Sequence, residues 1–166
     1  QGGYPAVVLV HGGGGQVFPE WAEWWNQKGY VALAFDTYSN QLDANLQKVV
    51  NPEGGAPETN GPLSDKVNDT ENSWAYHVVS NIILSNNILR NRADVNANFV
   101  ALTGISWGGV ATNLASGVDK RFACFAPVYG AGYLYEDSNW ANLSNFGGED
   151  KEEWIDKFDP SSYIAY

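Results

Sequence analysis

The sequence is short of several residue types that build reactive or stabilising sites. Among its 166 residues there are no methionines, one cysteine and two histidines. The lone Cys124 excludes an internal disulfide bond and a cysteine-based zinc site. With two histidines and no H-E-x-x-H motif, we expect neither a metal site nor a cofactor. A directly translated chain begins with methionine, so we interpret this one, which starts at Gln1, as processed, trimmed or truncated.

Positive charge is also scarce. Nine lysines and arginines stand against 19 aspartates and glutamates, which gives a formal net charge of −10. Nucleic acids and anionic membrane surfaces require clustered basic side chains, so neither is an expected partner. No apolar run approaches the roughly 20 residues of a membrane span, and no signal-peptide pattern is present. We predict a soluble protein, and its compartment is left open, with secretion and a periplasmic location both compatible.

The remaining pattern predicts one α/β domain over residues 1–166. Four short stretches are continuously apolar, as expected for strands covered on both faces of a parallel sheet. Helical stretches separate them, and this alternation favours right-handed crossovers between parallel strands. The predicted strands lie at 6–10, 31–35, 99–103 and 122–128, and the predicted helices at 19–29, 73–89 and 109–116.

A polar stretch at 40–72 interrupts this alternation. It is rich in proline and glycine, and so long an excursion in a compact domain is usually a functional or mobile loop. We predict a short helix at 41–50 inside it. Cys124 lies in an apolar strand and is expected to be buried and inert.

The strongest chemical signal is the run G-I-S-W-G-G at 104–109. It follows a predicted strand and opens a helix of small residues, which is the context that a G-x-S-x-G nucleophile turn requires. The glycines let neighbouring backbone pass close to a serine in a strained turn. We therefore predict Ser106 as a nucleophile and the N–H of Trp107, at the helix start, as an oxyanion donor. The alternative is a glycine-rich turn with an incidental serine.

A second signal, H-G-G-G-G at 11–15, directly follows the first predicted strand. Such a run turns backbone N–H groups towards a developing negative charge and matches an HGGG-type oxyanion loop. Gly13 and Gly14 are the candidate loop donors, and His11 is expected to orient the loop rather than act as general base. A dinucleotide site with Asp36 is the rival interpretation, but the spacing G-x-G-x-x-G fails and Ser106 would be unexplained.

Several segments carry a family resemblance: P-A-V-V-L-V-H-G-G-G at 5–14, G-Y-V-A at 29–32, the turn at 104–109, V-D-K-R-F at 118–122 and P-V-Y-G at 127–130. Together they resemble the α/β-hydrolase superfamily, and within it acetyl xylan esterase-like and dienelactone hydrolase-like serine esterases. The resemblance implies a three-layer α/β sandwich with a mostly parallel sheet. It also implies that this chain holds only the central strands of that sheet, strands three to six.

The order of the histidines departs from that resemblance. Such enzymes place the triad serine first, then an acid, then a histidine, whereas here His11 and His77 both precede Ser106. The resemblance therefore implies that the acid and histidine lie outside this sequence, incomplete at both ends, in a C-terminal segment or another chain. An unusual complete enzyme with His77 as base and a non-catalytic relative are the alternatives. Glu136 and Asp137 follow the fourth strand, where some hydrolases place their acid, but a solvated pair is the simpler interpretation.

The resemblance implies a serine esterase that hydrolyses small acyl esters, such as those of acetylated carbohydrate. Its expected partner is a small-molecule ester, and residues 1–166 alone are expected to be inactive. Tyr129 and Tyr133 follow the fourth strand, at the edge where open α/β sheets bind ligands, and are the candidate substrate-binding residues. A prolyl-oligopeptidase-type serine peptidase and a non-catalytic binding module on the same fold stay open as alternatives.

Overall fold

The structure, a computed structural model, describes residues 2–49, 56, 61–136 and 150–164. Within these ranges, strands and helices alternate along most of the chain. Short 3-10 turns lie at Gly61–Ser64, Thr70–Asn72 and Pro160–Ser162. The strands and helices are β1 (Tyr4–Val10), α1 (Pro19–Gln27), β2 (Val31–Phe35), β3 (Gln41–Leu42), β4 (Lys48–Val49), α2 (Trp74–Arg90), β5 (Val95–Ile105), α3 (Trp107–Val118), β6 (Cys124–Val128) and α4 (Lys151–Phe158).

The main sheet of the described chain has four parallel strands in the order β2-β1-β5-β6. In its middle, Val8 of β1 is paired with Leu33 of β2 and Leu102 of β5. Residues 6–10 of β1 are at most 4% exposed, which explains why their sequence is apolar at every position. The predicted α/β fold with a parallel sheet is confirmed. Strand β5 extends beyond the apolar run at 99–103 in both directions.

Helices flank this sheet and complete the core. Helix α3 contacts β5 and β6, α2 contacts β5 and α3, and α1 lies against β2. None of the described helices is long and apolar enough to cross a bilayer. The buried side chains that join the central strands to α2 and α3 are Ala6, Val8, Val10, Val78, Ile82, Val100, Leu102, Val110 and Leu114.

Two side chains cap the start of α2. Ser73 Oγ accepts a hydrogen bond from the N–H of Tyr76 at 3.1 Å. The buried carboxylate of Asp65 accepts from the N–H groups of Trp74 and Ala75 at 2.7 and 2.9 Å. These bonds satisfy donors that the first helical turn leaves unpaired. Burial raises the pKa of Asp65 to about 6, although the hydrogen bonds from the two N–H groups lower it.

The predicted helix at 41–50 is wrong. The strands β3 and β4 pair there as an antiparallel hairpin. Asp43 Oδ1 accepts hydrogen bonds from the N–H groups of Asn45 and Gln47 at 2.8 and 2.9 Å. A short acidic side chain that bonds its own neighbouring backbone stabilises a turn in competition with a helix, and this explains the difference.

The prediction that Cys124 is buried is also wrong. Its side chain is exposed, because β6 forms one edge of the described sheet. The apolar run at 122–128 indicated a strand covered on both faces, and most residues of β6 are instead exposed. The thiol is therefore open to reagents in this structure.

The excursion at 40–72 packs against the rest of the domain where it is described, and residues 50–55 and 57–60 lie outside the description. Trp154 Nε1 of α4 donates to Pro62 O at 3.1 Å, and Lys157 Nζ donates to Val67 O at 2.7 Å. Trp154 is buried. Helix α4 therefore holds the second half of the excursion against the domain.

Candidate active site

Ser106 lies on the turn that joins β5 to α3. Its backbone has φ 56° and ψ −121°, a conformation that is costly for a residue with a Cβ. The N–H of Ser106 donates to Val128 O at 2.8 Å, and its C=O accepts from the N–H of Val110 at 3.0 Å. These bonds hold the strained turn while the serine stays exposed at the end of the sheet. The strand–turn–helix context predicted for 104–109 is confirmed, and the nucleophilic role of Ser106 stays a prediction.

Close backbone contacts require glycine on both sides of this turn. A Cβ on Gly104 would lie 2.2 Å from Gly108 O, and a Cβ on Gly108 would lie 2.2 Å from Val10 O. Both distances are far below the 3.4–4 Å of an ordinary contact. The turn is therefore packed directly on the end of β1, the strand that leads into the glycine loop.

The glycine loop at 11–15 lies beside Ser106. A Cβ on Gly12 would be 2.9 Å from Ser106 Cβ and 3.5 Å from its Oγ. Gly14 has φ 67°, and the N–H of Gly15 donates to Gly12 O at 3.3 Å, which closes a tight turn. The two signals that are separate in the sequence thus meet at one place, as an oxyanion loop beside a nucleophile requires.

Gly13 lies between two aromatic side chains. A Cβ there would lie 2.3 Å from Trp107 Cδ1 and 3.3 Å from Tyr38 Oη. The Trp107 ring is in turn packed against Trp74, with centroids 6.5 Å apart. A Cβ on Gly61 would lie 2.6 Å from that same ring. The side chain of Trp107 is therefore a fixed wall of the site, and the donor roles of its N–H and of the loop glycines stay predictions.

His11 is buried beneath the loop and connects it to the end of β2. The N–H of Thr37 donates to His11 Nε2 at 2.8 Å, and His11 Nδ1 lies 2.8 Å from Gly12 O. Because an N–H only donates and a carbonyl only accepts, we assign Nε2 as the acceptor of the Thr37 bond and a proton to Nδ1. Asp36 Oδ2 also lies 3.3 Å from Nε2. This distance is longer than the 2.8 Å of the bond from the Thr37 N–H, which already uses the lone pair of Nε2. Both ring nitrogens are thus bonded to backbone, which suits an orienting role and leaves neither for a general base.

The structure does not bring the second histidine to Ser106. His77 lies half-buried near the start of α2, and its ring packs on the preceding tyrosine with centroids 5.8 Å apart. In the described part of the chain, no hydrogen bond joins His11 or His77 to Ser106. Glu136 is exposed, and Asp137 lies outside the described residues. The described residues contain no group of three or more His, Cys, Asp or Glu side chains that would hold a metal ion.

Tyr129 and Tyr133 lie on the segment that follows β6. Their φ values are 61° and 59°, which is unusual for residues with bulky side chains, and they are 84% and 52% exposed. The buried carboxylate of Asp159 accepts hydrogen bonds from the N–H of Tyr133 and of the next residue, at 2.9 and 2.8 Å. Tyr129 directly follows Val128, whose carbonyl holds the Ser106 turn. Tyr129 thus lies at the end of the strand that anchors the site, whereas the backbone of Tyr133 is held at Asp159. The contact of either ring with substrate stays a prediction.

The comparison with protein families decides the assignment of the chain. The sequence profile of the dienelactone hydrolase family matches residues 1–151. The chain belongs to the dienelactone hydrolase family. The α/β-hydrolase resemblance in the sequence is confirmed. No curated protein matches the sequence significantly.

Two solved structures share the fold of this dienelactone hydrolase family member. An acetyl xylan esterase from Paenibacillus sp. R4 is 22% identical with a TM-score of 0.71, and the match covers 98% of this chain and 55% of that chain. Acetyl Xylan Esterase 1 from Thermoanaerobacterium sp. JW/SL YS485 is 15% identical with a TM-score of 0.60, and the match covers 98% and 56%. The chain therefore spans little more than half the length of these structures.

Sequence reasoning missed two residues of the site in this family member, Thr37 and Tyr38. Thr37 holds His11, and Tyr38 Oη accepts a hydrogen bond from the N–H of Gly14 at 3.3 Å. Their place near the site could have been predicted, because they follow β2 at the carboxyl edge of the sheet, where the Ser106 turn also lies. Their partners could not be predicted, because hydrogen bonds between residues 24 and 26 positions apart leave no periodic pattern.

Proposed function

We propose that the protein is a serine esterase that hydrolyses small acyl esters, such as the acetyl esters of a carbohydrate. The observation that carries the proposal is the geometry at Ser106. This residue is exposed on a strained turn, with the glycine loop packed against its Cβ. A serine held beside backbone donors in this way is suited to acyl transfer. Membership of the dienelactone hydrolase family supports a hydrolytic reaction.

In the proposed reaction, Ser106 Oγ attacks the carbonyl carbon of the ester while a base takes its proton. The carbonyl oxygen becomes an oxyanion and receives hydrogen bonds from the N–H of Trp107 and of a loop glycine, Gly13 or Gly14. Collapse breaks the bond to the alcohol, which leaves with the proton held by the base, and an acyl–serine remains. Water then attacks the acyl–serine in the same manner, and the carboxylic acid is released. The steps use side chains, backbone N–H groups and water alone.

We further propose that the general base and its acid come from outside these 166 residues. His11 has both ring nitrogens bonded to backbone, and His77 lies on α2 without a hydrogen bond to Ser106 among the described residues. The chain spans 55% of the matched Paenibacillus esterase, which leaves length for both residues in a longer protein. A serine hydroxyl without a base is a weak nucleophile. We therefore expect residues 1–166 alone to retain at most roughly 10³–10⁴ over the rate in water, as triad deletions do.

The proposed alcohol component is a carbohydrate. Tyr129 and Tyr133 present exposed rings beyond β6, and tyrosine combines an apolar face with a hydroxyl. This combination suits a sugar ring, which has both C–H and hydroxyl surfaces. The acetyl xylan esterases with the same fold are consistent with this substrate class.

The test uses the product of the complete gene, with Ser106→Ala compared with Ser116→Ala. Ser116 lies on the same helix, and its Oγ donates to Asn113 O at 2.7 Å, so its replacement is a matched loss of one hydroxyl. We expect Ser106→Ala to abolish hydrolysis of p-nitrophenyl acetate and of acetylated xylo-oligosaccharides, and to abolish labelling by a fluorophosphonate. Ser116→Ala should retain all three.

Three outcomes contradict the proposal. Labelling that persists at another serine shows that Ser106 is not the nucleophile. Cleavage of peptides but not of esters favours the prolyl-oligopeptidase-type alternative. Carbohydrate binding with neither turnover nor labelling favours a non-catalytic module.

A further inference from the structure

The hydroxyl of Tyr38 lies against the glycine loop from the side of β2. It accepts a hydrogen bond from the N–H of Gly14 at 3.3 Å and lies 3.3 Å from the position of a Cβ on Gly13. We propose that Tyr38 is a positioning residue of the oxyanion loop, which engages Gly14 and so assigns the N–H of Gly13 to the oxyanion. This inference rests on the proposed esterase function and names a residue that the sequence motifs do not contain.

Tyr38 is itself held by a rigid part of the fold. Its side chain is buried, and its N–H donates to Asp36 Oδ1 at 2.9 Å. The same oxygen accepts from the N–H of Asn40 at 3.0 Å, so one carboxylate fixes the whole turn after β2. The ring of Tyr38 also packs near the ring of His11, with centroids 6.1 Å apart. The position of its hydroxyl is therefore determined by the end of the central sheet rather than by the loop that it contacts.

The two N–H groups of the loop are consequently not equivalent. The N–H of Gly14 is engaged by Tyr38, whereas the N–H of Gly13 has no hydrogen-bond partner among the described residues. Gly13 is also the residue enclosed between the Trp107 ring edge and the Tyr38 hydroxyl. Of the two candidates, Gly13 thus combines an available donor with a fixed position.

The need for such a tether follows from the composition of the loop. Four consecutive glycines at 12–15 have access to many backbone conformations, whereas an oxyanion donor is effective only when it is already oriented before the reaction. His11 fixes Gly12 at one end of the run, and Tyr38 fixes Gly14 two residues later. Gly13 lies between these two fixed points. Removal of the hydrogen bond between Tyr38 and Gly14 should let the loop rotate without affecting Ser106 itself.

The test is Tyr38→Phe in the product of the complete gene, with Tyr163→Phe as the matched control. Tyr163 is also partly buried, and its hydroxyl donates to a backbone carbonyl, Lys157 O, at 2.9 Å, outside the proposed site. Among the described residues, each variant therefore removes a hydrogen bond between a tyrosine hydroxyl and the backbone. For Tyr38→Phe we expect kcat on p-nitrophenyl acetate to fall about tenfold, less than the roughly 10²–10³ for loss of a whole donor, with KM unchanged. Tyr163→Phe should leave kcat unchanged.

Equal kcat values for the two variants, or a change confined to KM, would overturn the inference. Ser106→Ala, assayed in parallel, distinguishes a failure of the proposed function from a failure of this inference. Turnover that survives Ser106→Ala refutes the proposed function. Turnover that is lost in Ser106→Ala but unchanged in Tyr38→Phe refutes the role of Tyr38. A measurement on the unaltered protein keeps the inference testable even if Tyr38→Phe does not fold. In amide hydrogen exchange, the N–H of Gly14 should exchange more slowly than that of Gly13. Equal exchange at the two glycines contradicts the assignment.

Discussion

The replacement of Gly13 by alanine isolates the contribution of the glycine loop. The added Cβ would lie 2.3 Å from Trp107 Cδ1, about 1 Å short of an ordinary contact. The indole is enclosed on other sides by Trp74 and by the backbone at Gly61, so it has little room to move. The strain must therefore be relieved by the loop, which is expected to move by about the missing 1 Å.

The size of the effect follows from that displacement. A misplacement of about 1 Å in a catalytic group can cost about 10²-fold in rate, and loss of an oxyanion donor costs about 10²–10³ in kcat. We therefore expect Gly13→Ala to lower kcat of the complete enzyme on p-nitrophenyl acetate by roughly 10²–10³, or about 2.7–4 kcal/mol of transition-state stabilisation. The thermal unfolding temperature should change little in comparison, because Gly13 is exposed and contributes little to the buried core.

The neighbouring glycine provides the control. A Cβ on Gly14 would have no heavy atom within 4 Å, and its φ of 67° is a conformation that asparagine tolerates. Gly14→Asn also retains the N–H that donates to Tyr38. Its kcat should stay within a few-fold of the unaltered enzyme. If Gly13→Ala keeps a normal kcat, or if both variants lose activity equally, the reasoning about Gly13 is refuted.

Two further predictions concern buried carboxylates. Arg121 and Asn86 donate hydrogen bonds to Asp119, and the Arg121 guanidinium above all lowers the Asp119 pKa to about 2. The ionised Asp119 therefore stabilises the folded state above about pH 4, and this contribution is lost as the pH falls towards 2. Asp119→Asn should lower the free energy of unfolding by about 1–2 kcal/mol at pH 7 in urea titrations, a value reduced because Arg121 is solvent-screened, and the difference should shrink towards pH 2. Burial raises the pKa of Asp65 to about 6, above its unfolded value, so the folded state binds the extra proton and this group adds stability as pH falls from 6 towards 4. Asp65→Asn should remove that component from the pH dependence of the unfolding temperature; an unchanged profile would count against it.

The sequence predicted the parts of the fold that depend on burial along a single segment. The apolar run at 6–10 coincides with a parallel strand that is buried on both faces and therefore has no polar positions. The run at 31–35 also coincides with a parallel strand, but its residues are only half-buried, since β2 is an edge of the described sheet. The run at 122–128 also marks a strand, but its predicted burial is wrong, since β6 is at an edge of the described sheet. The hairpin in place of the helix at 41–50 depends on one side chain, Asp43, whose effect on local backbone is not part of a hydrophobic pattern.

The candidate site was predictable in its two glycine-rich motifs and not in its supporting contacts. The turn around Ser106 and the loop at 11–15 have distinct local sequences, and both follow strands that end at the same edge of the sheet. The contacts of Thr37 with His11 and of Tyr38 with Gly14 join different segments through a few hydrogen bonds. Such bonds depend on the three-dimensional path of both segments, and neither path is encoded in residue spacing.

The carboxylate of Asp159 has a consequence for anyone who redesigns this protein. It accepts hydrogen bonds from three backbone N–H groups, those of Tyr133, Leu134 and Ser161, and it is fully buried. Because two of these bonds use backbone rather than side-chain atoms of the segment after β6, they impose no particular side chain at those two positions. Libraries that vary Tyr133 are thus compatible with the anchor, provided that the replacements tolerate a φ of 59° and that the buried Leu134 and Asp159 are kept. The backbone position of this segment is therefore set by Asp159, while the side chain at 133 is open to redesign.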